Sequence, residues 1–262
     1  MAIDPNIQTE IHSPRLGLNK DDDLVGLRHG RPAVLLANRP GRVVRHFDDF
    51  FGDVLADEWN FQEGSDSSTS AAVVVAGIGG TLQITTGDSA TLTMAGNGAQ
   101  FESFLSWQAS NGGLYAEARL QLDIITSQAI FFGFTDQVAA LEMPFNSAGS
   151  ADTITSNASN GVGFMFDTAM TTDEWWAVGV KADTDGTHVT TGVGPTAATY
   201  QTLRVEVDAD GNAAFFIDGV RKATMTSAIT GATDLTPVIA GFARATTSVN
   251  ILVDYIDVGM DR

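Results

Sequence analysis

The chain has 262 residues, a formal net charge of −18, 44% hydrophobic residues and no Cys. This hydrophobic content is sufficient for a buried core, and the lack of Cys excludes disulfides and thiolate metal sites. The sequence has neither an apolar run of about 18 residues nor the layout of a signal peptide. We therefore expect a globular protein that is made in a cytoplasm and does not enter a membrane.

Residues 1–46 differ in charge from the rest of the chain. They hold seven Lys or Arg and five acids, a net charge of +2, whereas the remaining 216 residues hold seven and 27, a net charge of −20. Four Pro interrupt this segment, and it contains no Phe, Trp or Tyr. Such a segment cannot build a core of its own. We predict an extended N-terminal arm that lies on a partner, followed by one domain over residues 47–262.

The arm has two kinds of residues suited to a partner. The stretch "PAVLLAN" at 32–38 is its one apolar anchor, and Arg side chains pair with carboxylates through two hydrogen bonds. The predicted partner-binding residues are Arg28, Arg31, Val34, Leu35, Leu36, Arg39, Arg42 and Arg45.

The body shows apolar residues at every second position. In "GGLYAEARLQLDI" the residues from Leu114 to Leu122 alternate between apolar and polar, which is typical of a half-buried strand. The same pattern occurs in "GTLQITT", "ATLTM" and "TLRVEV". It predicts that the following residues point inward: Leu82, Ile84, Leu92, Met94, Leu203, Val205 and Val207.

Turn residues connect these strands. Asp-Gly pairs in "DADGN" (208–212) and "IDGV" (217–220) stand where hairpins need a positive φ. No helical period is convincing. Abundant Thr and Gly and frequent turns predict an all-β antiparallel sandwich of about a dozen strands.

The order of the strand patterns resembles a known fold. "YQTLRVEVDADGNAAFFIDGVRKATM" followed by "VIAGFARATTSVNILVDYIDV" is similar to the closing half of concanavalin A-like jelly rolls, the fold of laminin-G domains, lectins and glucanases. "LYAEARLQLDIITSQAIFFGFTD" resembles the central strand pair of that fold. The resemblance implies a jelly-roll β-sandwich with an N-terminal arm, but it does not imply one activity.

A second resemblance concerns the whole chain. A short basic arm, the stretch "HFDDFFGDVLADEW" and a sandwich together resemble proteins of tailed-bacteriophage particles, notably capsid decoration proteins. This resemblance implies a location in the virion, a capsid or other virion protein as partner, and a homo-oligomer.

The catalytic motif of glucanases is incomplete in this sequence. These enzymes carry E-x-D-x-x-E on one strand, which places two carboxyl groups about 5 Å apart in retaining enzymes. The nearest stretch begins at Glu206 and Asp208 and has Gly211 in place of the second Glu. The body has a single His, His188, in a loop-like stretch where solvation is the simpler interpretation. We expect no enzymatic activity.

Metal ligands are equally sparse. "DTDG" (Asp183, Asp185) and "DADGN" (Asp208, Asp210) begin like calcium loops but lack the distant Glu, so hairpin turns are the better interpretation. We predict neither a metal nor a cofactor.

Aromatic residues leave a sugar site open. Trp107, Trp175, Trp176 and Tyr200 are candidates for stacking on a sugar, although packing between two sheets explains most Trp in such a fold. Nucleic acid is not an expected partner because the acidic body repels phosphate.

Three functions follow, in order. The first is a non-enzymatic capsid decoration protein that attaches through its arm and displays the sandwich. The second is a carbohydrate-binding, lectin-like module on a phage particle or a cell surface, and the third is a glycan hydrolase.

Overall fold

The computed structural model describes residues 25–28, 31–34 and 43–262, except for 53, 75–79, 105, 148, 150 and 151. The chain divides into two compact units, Met1–Val43 and Val44–Arg262. In the first unit, the described residues form an antiparallel hairpin of β1 (Val25–Arg28) and β2 (Arg31–Val34). The second unit is a sandwich of two sheets, which was the predicted fold.

Eight strands form the first sheet in the described part of the chain. Its strands in spatial order are β14 (Thr184–Asp185), β13 (Trp176–Lys181), β12 (Gly161–Asp167), β9 (Gln128–Thr135), β19 (Thr236–Ala243), β7 (Gly98–Glu102) and β4 (Asn60–Glu63), with β15 (Val189–Thr190) also paired to β13.

The second sheet also has eight described strands. Its strands in spatial order are β18 (Val220–Met225), β17 (Ala213–Ile217), β16 (Gln201–Val207), β8 (Leu114–Leu122), β20 (Asn250–Asp261), β6 (Leu82–Thr85) and β5 (Ser70–Val73), with β3 (Val43–Asp48) also paired to β20. Strand β3 therefore crosses the boundary that we placed between residues 46 and 47.

The main core lies between the inner faces of the two sheets. In β8 and β16, buried residues alternate with half-buried ones along each strand. This confirms the predicted inward direction of Leu82, Ile84, Leu203, Val205, Val207 and the apolar residues of β8, all of which are buried. Each large apolar side chain that is removed from water in this way contributes about 1.5–3 kcal/mol of stabilisation.

A second hydrophobic core covers the outer face of the first sheet. Phe131 of β9, Met165 of β12 and Val178 of β13 point away from the main core and are fully buried. They belong to one cluster with Phe145 of β10 (Phe145–Ser147) and Ile154 of β11 (Ile154–Ser156), which pair as a small hairpin. Because both faces of this sheet are covered, β9, β12 and β19 are buried at every position.

The predicted strand at "ATLTM" is wrong. Residues 91–93 form a loop, and a one-turn helix, α1 (Met94–Asn97), follows. Thr93 begins this helix because its side-chain oxygen accepts a hydrogen bond from the Gly96 amide, which satisfies a free donor of the first turn. Leu92 is exposed as a result, and Met94 is buried in the second core instead of the main one.

The two Asp-Gly turns are confirmed. Gly211 has a φ of +81°, and Asp218 and Gly219 have φ values of +51° and +75°. These turns join β16 to β17 and β17 to β18 as antiparallel hairpins. A turn with two consecutive positive φ angles matches the twist of the flanking strands.

Candidate functional site

The first sheet bears one cleft on its outer side, beside a buried ion pair. Arg244 donates through Nε and Nη2 to Asp167, whose side chain is fully buried, and the Ser147 hydroxyl donates to the same carboxylate at 2.6 Å. The cleft measures about 490 Å³, and Asn157 and Phe242 also line it. Both oxygens of Asp167 are thus occupied, which leaves this carboxylate no free position for acid or base catalysis.

Arg204 lies at the centre of the outer face of the second sheet. Its Nε donates to Glu206 at 2.7 Å, and its Nη1 donates to Glu117 of the neighbouring strand at 3.4 Å. The guanidinium also stacks on the Tyr115 ring, 4.3 Å from the centroid. Burial opposes the charge, but the bond from Glu206 raises the pKa of Arg204 above its ordinary value. The cation is therefore neutralised by its neighbours.

Two tyrosines continue this arrangement. The Tyr115 hydroxyl donates to Asp257 at 3.2 Å, and the Tyr255 hydroxyl donates to Glu117 at 2.8 Å. Burial, followed by the charge of Asp257, raises the pKa of Tyr115 to about 12. Burial and the hydrogen bond to Glu117 raise the pKa of Tyr255 to about 12 as well. Both phenols hence remain neutral donors at physiological pH.

The same face ends in two further ion pairs. Arg45 of β3 binds both oxygens of Asp257, at 2.7 and 2.8 Å. Arg119 donates to Asp254 at 2.7 Å. We call this set the ion-pair ladder, which consists of Arg45, Tyr115, Glu117, Arg119, Arg204, Glu206, Asp254, Tyr255 and Asp257.

A groove of about 560 Å³ lies at one end of the ladder. Tyr115, Arg204, Glu206 and Asp208 line one part of it, and Thr224 lines another. Glu206 is occupied by Arg204, so it does not stand free as a nucleophile. Asp208 accepts the Asn212 side-chain and backbone N–H groups and the Asp210 amide, and these bonds lower its pKa. Asp208 therefore holds the hairpin turn.

Residues 43–58, which we call the junction segment, connect the arm to the sandwich. Asp48 accepts hydrogen bonds from the Phe50 amide and the Trp59 indole, both at 2.7 Å. Trp59 stacks on Phe101 at 4.6 Å, and the buried Phe50 packs against the same ring. Phe50 has a φ of +52°, an unfavourable angle for a bulky residue. This segment is anchored at both Asp48 and Trp59.

The indoles proposed for sugar stacking do not face solvent. Trp107 and Trp175 lie in the main core and Trp176 in the second, and their exposures are 6%, 0% and 8%. They pack between or behind the sheets because a large ring gains most by burial there. Tyr200 is partly exposed, but the guanidinium of Arg119 covers its ring at 4.3 Å. None of the four presents a free ring face.

The arm residues can be placed only in part. Arg28, Arg31 and Val34 lie in the β1–β2 hairpin, whereas Leu35, Leu36, Arg39 and Arg42 lie outside the described residues. Arg45 belongs to the sandwich, where it binds Asp257 instead of standing free for a partner. Alternation in "VVRHFD" would have indicated a strand at this point.

His188 is not solvated as expected. Its ring meets Phe145 edge-on at 5.8 Å, its side chain is only 10% exposed, and neither ring nitrogen has a hydrogen-bond partner. Burial lowers its pKa, although Asp185 opposes this shift. Asp183 accepts a hydrogen bond from the Ser159 hydroxyl and lies at a positive φ, as a turn residue does. In the described part of the chain, no three His or acidic side chains come close enough to hold a metal ion.

The sequence matches no known protein-family profile and no curated protein. Solved structures are similar in fold. A Bacillus licheniformis β-glucanase aligns with a TM-score of 0.55 at 12% identity and covers 83% of this chain and 97% of its own. The carbohydrate recognition domain of Emp47p aligns with 0.54 at 10% identity, over 84% and 97%. A Shewanella oneidensis MR-1 protein of unknown function aligns with 0.51 at 11% identity, over 100% and 95%.

These identities define the fold alone. The chain is a concanavalin A-like β-sandwich, a fold that glucanases and a lectin domain share. No helix among the described residues is long and apolar enough to span a membrane.

Proposed function

We infer that this protein is a non-enzymatic structural protein of a virion, a capsid decoration protein that attaches through its arm and displays the sandwich. The observation that carries this proposal is that both outer faces of the sandwich are occupied. A second hydrophobic core fills the middle of one face, and paired charges line the other. A displayed body needs such a closed and rigid surface, whereas a hydrolase needs a cleft with two free carboxylates.

Charge distribution supports the role of the arm. Residues 24–42 contain four Arg and no acid, whereas residues 47–262 carry a net charge of −20. A partner with carboxylates on its surface would attract this arm over the Debye length of about 8 Å at physiological ionic strength. The partner in this proposal is a virion protein, and the site of action is the particle.

The test is binding to particles that were assembled without this protein. A chain without residues 1–42 should fold, because the compact unit begins at Val44, and it should lose attachment. Replacement of Arg28, Arg31, Arg39 and Arg42 by Gln should weaken attachment and reduce its salt dependence. Arg45 stays in place because it binds Asp257. Wild-type occupancy by the truncated chain would overturn the proposal.

A carbohydrate-binding module is the second candidate. The cleft beside Arg244 favours it, because amide, hydroxyl and guanidinium groups there adjoin the Phe242 ring. The proteins of similar fold include a carbohydrate recognition domain. A glycan array with the wild-type chain and Asn157→Ala distinguishes the candidates: binding that this change abolishes supports the module, and an array without binding supports the structural role.

A further inference from the structure

Exposed apolar residues are concentrated in the junction segment. Eight large hydrophobic residues are exposed in the described part of the chain, and four of them are Val43, Phe47, Phe51 and Val54. Phe51 and Val54 are 76% and 79% exposed, the highest values of the eight. Phe47 extends this surface toward the ion-pair ladder, since its ring lies 5.9 Å from that of Tyr255. We call Phe47, Phe51 and Val54 the junction surface. Clustered exposed apolar residues indicate an interaction site.

The fold holds this surface outward. Phe50 is 2% exposed while the next residue, Phe51, points to solvent. This reversal requires the positive φ of Phe50, which is stabilised by the hydrogen bond from its amide to Asp48 and by packing on Phe101. A strained backbone that its surroundings hold in place is a common feature of binding segments.

Acids surround the junction surface. Residues 47–58 contain five acids and no Lys or Arg. Of these, Asp49, Asp57 and Glu58 are exposed. A matching ligand would therefore combine apolar residues with several cations. A second body cannot supply them at the same segment, because like charges would face one another.

The arm has the matching composition. Residues 25–42 contain four Arg, no acid, and apolar residues that include Leu35 and Leu36. In the hairpin, the register places Val25 opposite Val34 and Leu27 opposite Pro32. An isolated two-stranded hairpin is marginally stable in water, so this one requires a surface to pack against.

We propose that residues 25–42 of one copy dock on the junction surface of a second copy, with Arg residues beside the exposed acids. The occupant is thus the arm of another copy of this chain. The proposal rests on the adhesive role that the proposed function gives to the arm, and it names the acceptor of that arm. Exchanged arms would link copies into a closed oligomer.

The first experiment measures the oligomeric state of the full chain by sedimentation. We expect Phe51→Ser and Val54→Ser to raise the dissociation constant about tenfold or more, as truncation of a buried anchor does. Phe104→Ser and Val220→Ser are matched controls, because these residues are 63% and 56% exposed and lie outside the junction segment. Equal effects of the controls, or a wild-type chain that is monomeric at every concentration, would overturn the proposal.

The second experiment identifies the acceptor by disulfide trapping, which is clean because the chain has no Cys. A tagged Asn38→Cys chain is mixed with an untagged Asp57→Cys chain under mild oxidation. We expect a mixed disulfide between the two, and far less with Val220→Cys. A double variant that forms only an intrachain disulfide would show that the arm docks on its own body, and the proposal would be wrong.

Particle binding separates this proposal from the proposed function. A monomeric wild-type chain whose attachment depends on residues 1–42 would overturn arm exchange and leave the structural role intact. An arm-deleted chain that still binds particles would overturn the structural role, whatever the oligomeric state.

Discussion

Arg45 and Asp257 join the strand that leaves the arm to the last strand of the sandwich. The guanidinium binds both carboxylate oxygens, at 2.7 and 2.8 Å, and Asp257 is largely buried. The hydrogen bond to Asp257 raises the pKa of Arg45 further above its ordinary value, despite burial. This pair fixes the direction in which the arm leaves the body, which gives it a role in both structure and attachment.

The first prediction concerns this pair. We expect Arg45→Gln to lower the free energy of unfolding by about 1–2 kcal/mol, since two charge-assisted hydrogen bonds to a largely buried carboxylate are lost. Arg119→Gln is the control: its bond to Asp254 is single and both side chains are more than one third exposed, so a loss of about 0.5 kcal/mol is expected. Urea unfolding measures both. Equal losses would show that Arg45–Asp257 behaves as an ordinary surface pair.

The second prediction concerns the tyrosines. A phenol whose pKa is about 12 in the folded chain keeps its proton where an unfolded phenol, with a pKa of 10.0, has lost it. The contribution of Tyr115 and Tyr255 to stability is therefore complete below pH 10 and lost as pH rises toward 12. Spectrophotometric titration should show two of the three tyrosines ionising near pH 12. Tyr115→Phe and Tyr255→Phe should each remove one of these late steps, and ionisation of either near pH 10 would contradict the prediction.

The third prediction concerns His188. Its pKa is lowered from 6.5 by burial, so the folded chain favours the neutral ring while the unfolded chain binds a proton below about pH 6.5. Stability attributable to His188 is thus present above pH 6.5 and lost as pH falls. We expect His188→Gln to lose less stability than the wild type between pH 7 and pH 5 in chemical denaturation. Parallel curves for the two proteins would argue that His188 is not buried in solution.

The fourth prediction concerns the main core. Leu120→Ala should lower the free energy of unfolding by about 2–5 kcal/mol, because a buried Leu leaves both a lost transfer energy and a cavity. Gln121→Ala, on the same strand and on the outer face, should change it by less than about 0.5 kcal/mol. Thermal and urea unfolding provide the comparison. Similar values for the two would mean that the alternation of β8 does not separate core from surface.

Alternation made the sandwich predictable, and its limits explain what was missed. A period of two identifies which side of β8 is buried, since one face is half exposed. The run "AIFFGF" of β9 is apolar on both faces, so its sequence does not reveal that a hairpin with Phe145 covers the outer side. The burial of His188 likewise depends on Phe145, 43 residues away in sequence. Local patterns do not encode such distant contacts.

The short helix and the junction segment illustrate two further limits. "ATLTM" satisfies a strand pattern, but a side-chain bond from the Gly96 amide to Thr93 favours a helix start. The exposure of Phe51 follows from the positive φ of Phe50, which depends on the bond to Asp48 and the packing on Phe101. Tertiary contacts therefore decide which of two adjacent Phe residues is buried.

The last prediction concerns Asp48. Asp48→Ala removes the acceptors of the Phe50 amide and the Trp59 indole, and we expect a loss of about 1–3 kcal/mol in the free energy of unfolding. Asp49→Ala is the control, because Asp49 is the exposed neighbour with the same charge. Without Asp48 the strained angle at Phe50 loses its support, so the junction surface should become less ordered. Amide exchange at residues 49–52 should therefore accelerate in Asp48→Ala and stay unchanged in Asp49→Ala. If arm exchange holds, Asp48→Ala should also weaken self-association with Phe51 and Val54 intact, since ordering the segment would then oppose binding. Unchanged association in a variant with faster exchange would mean that order in this segment is not required for docking.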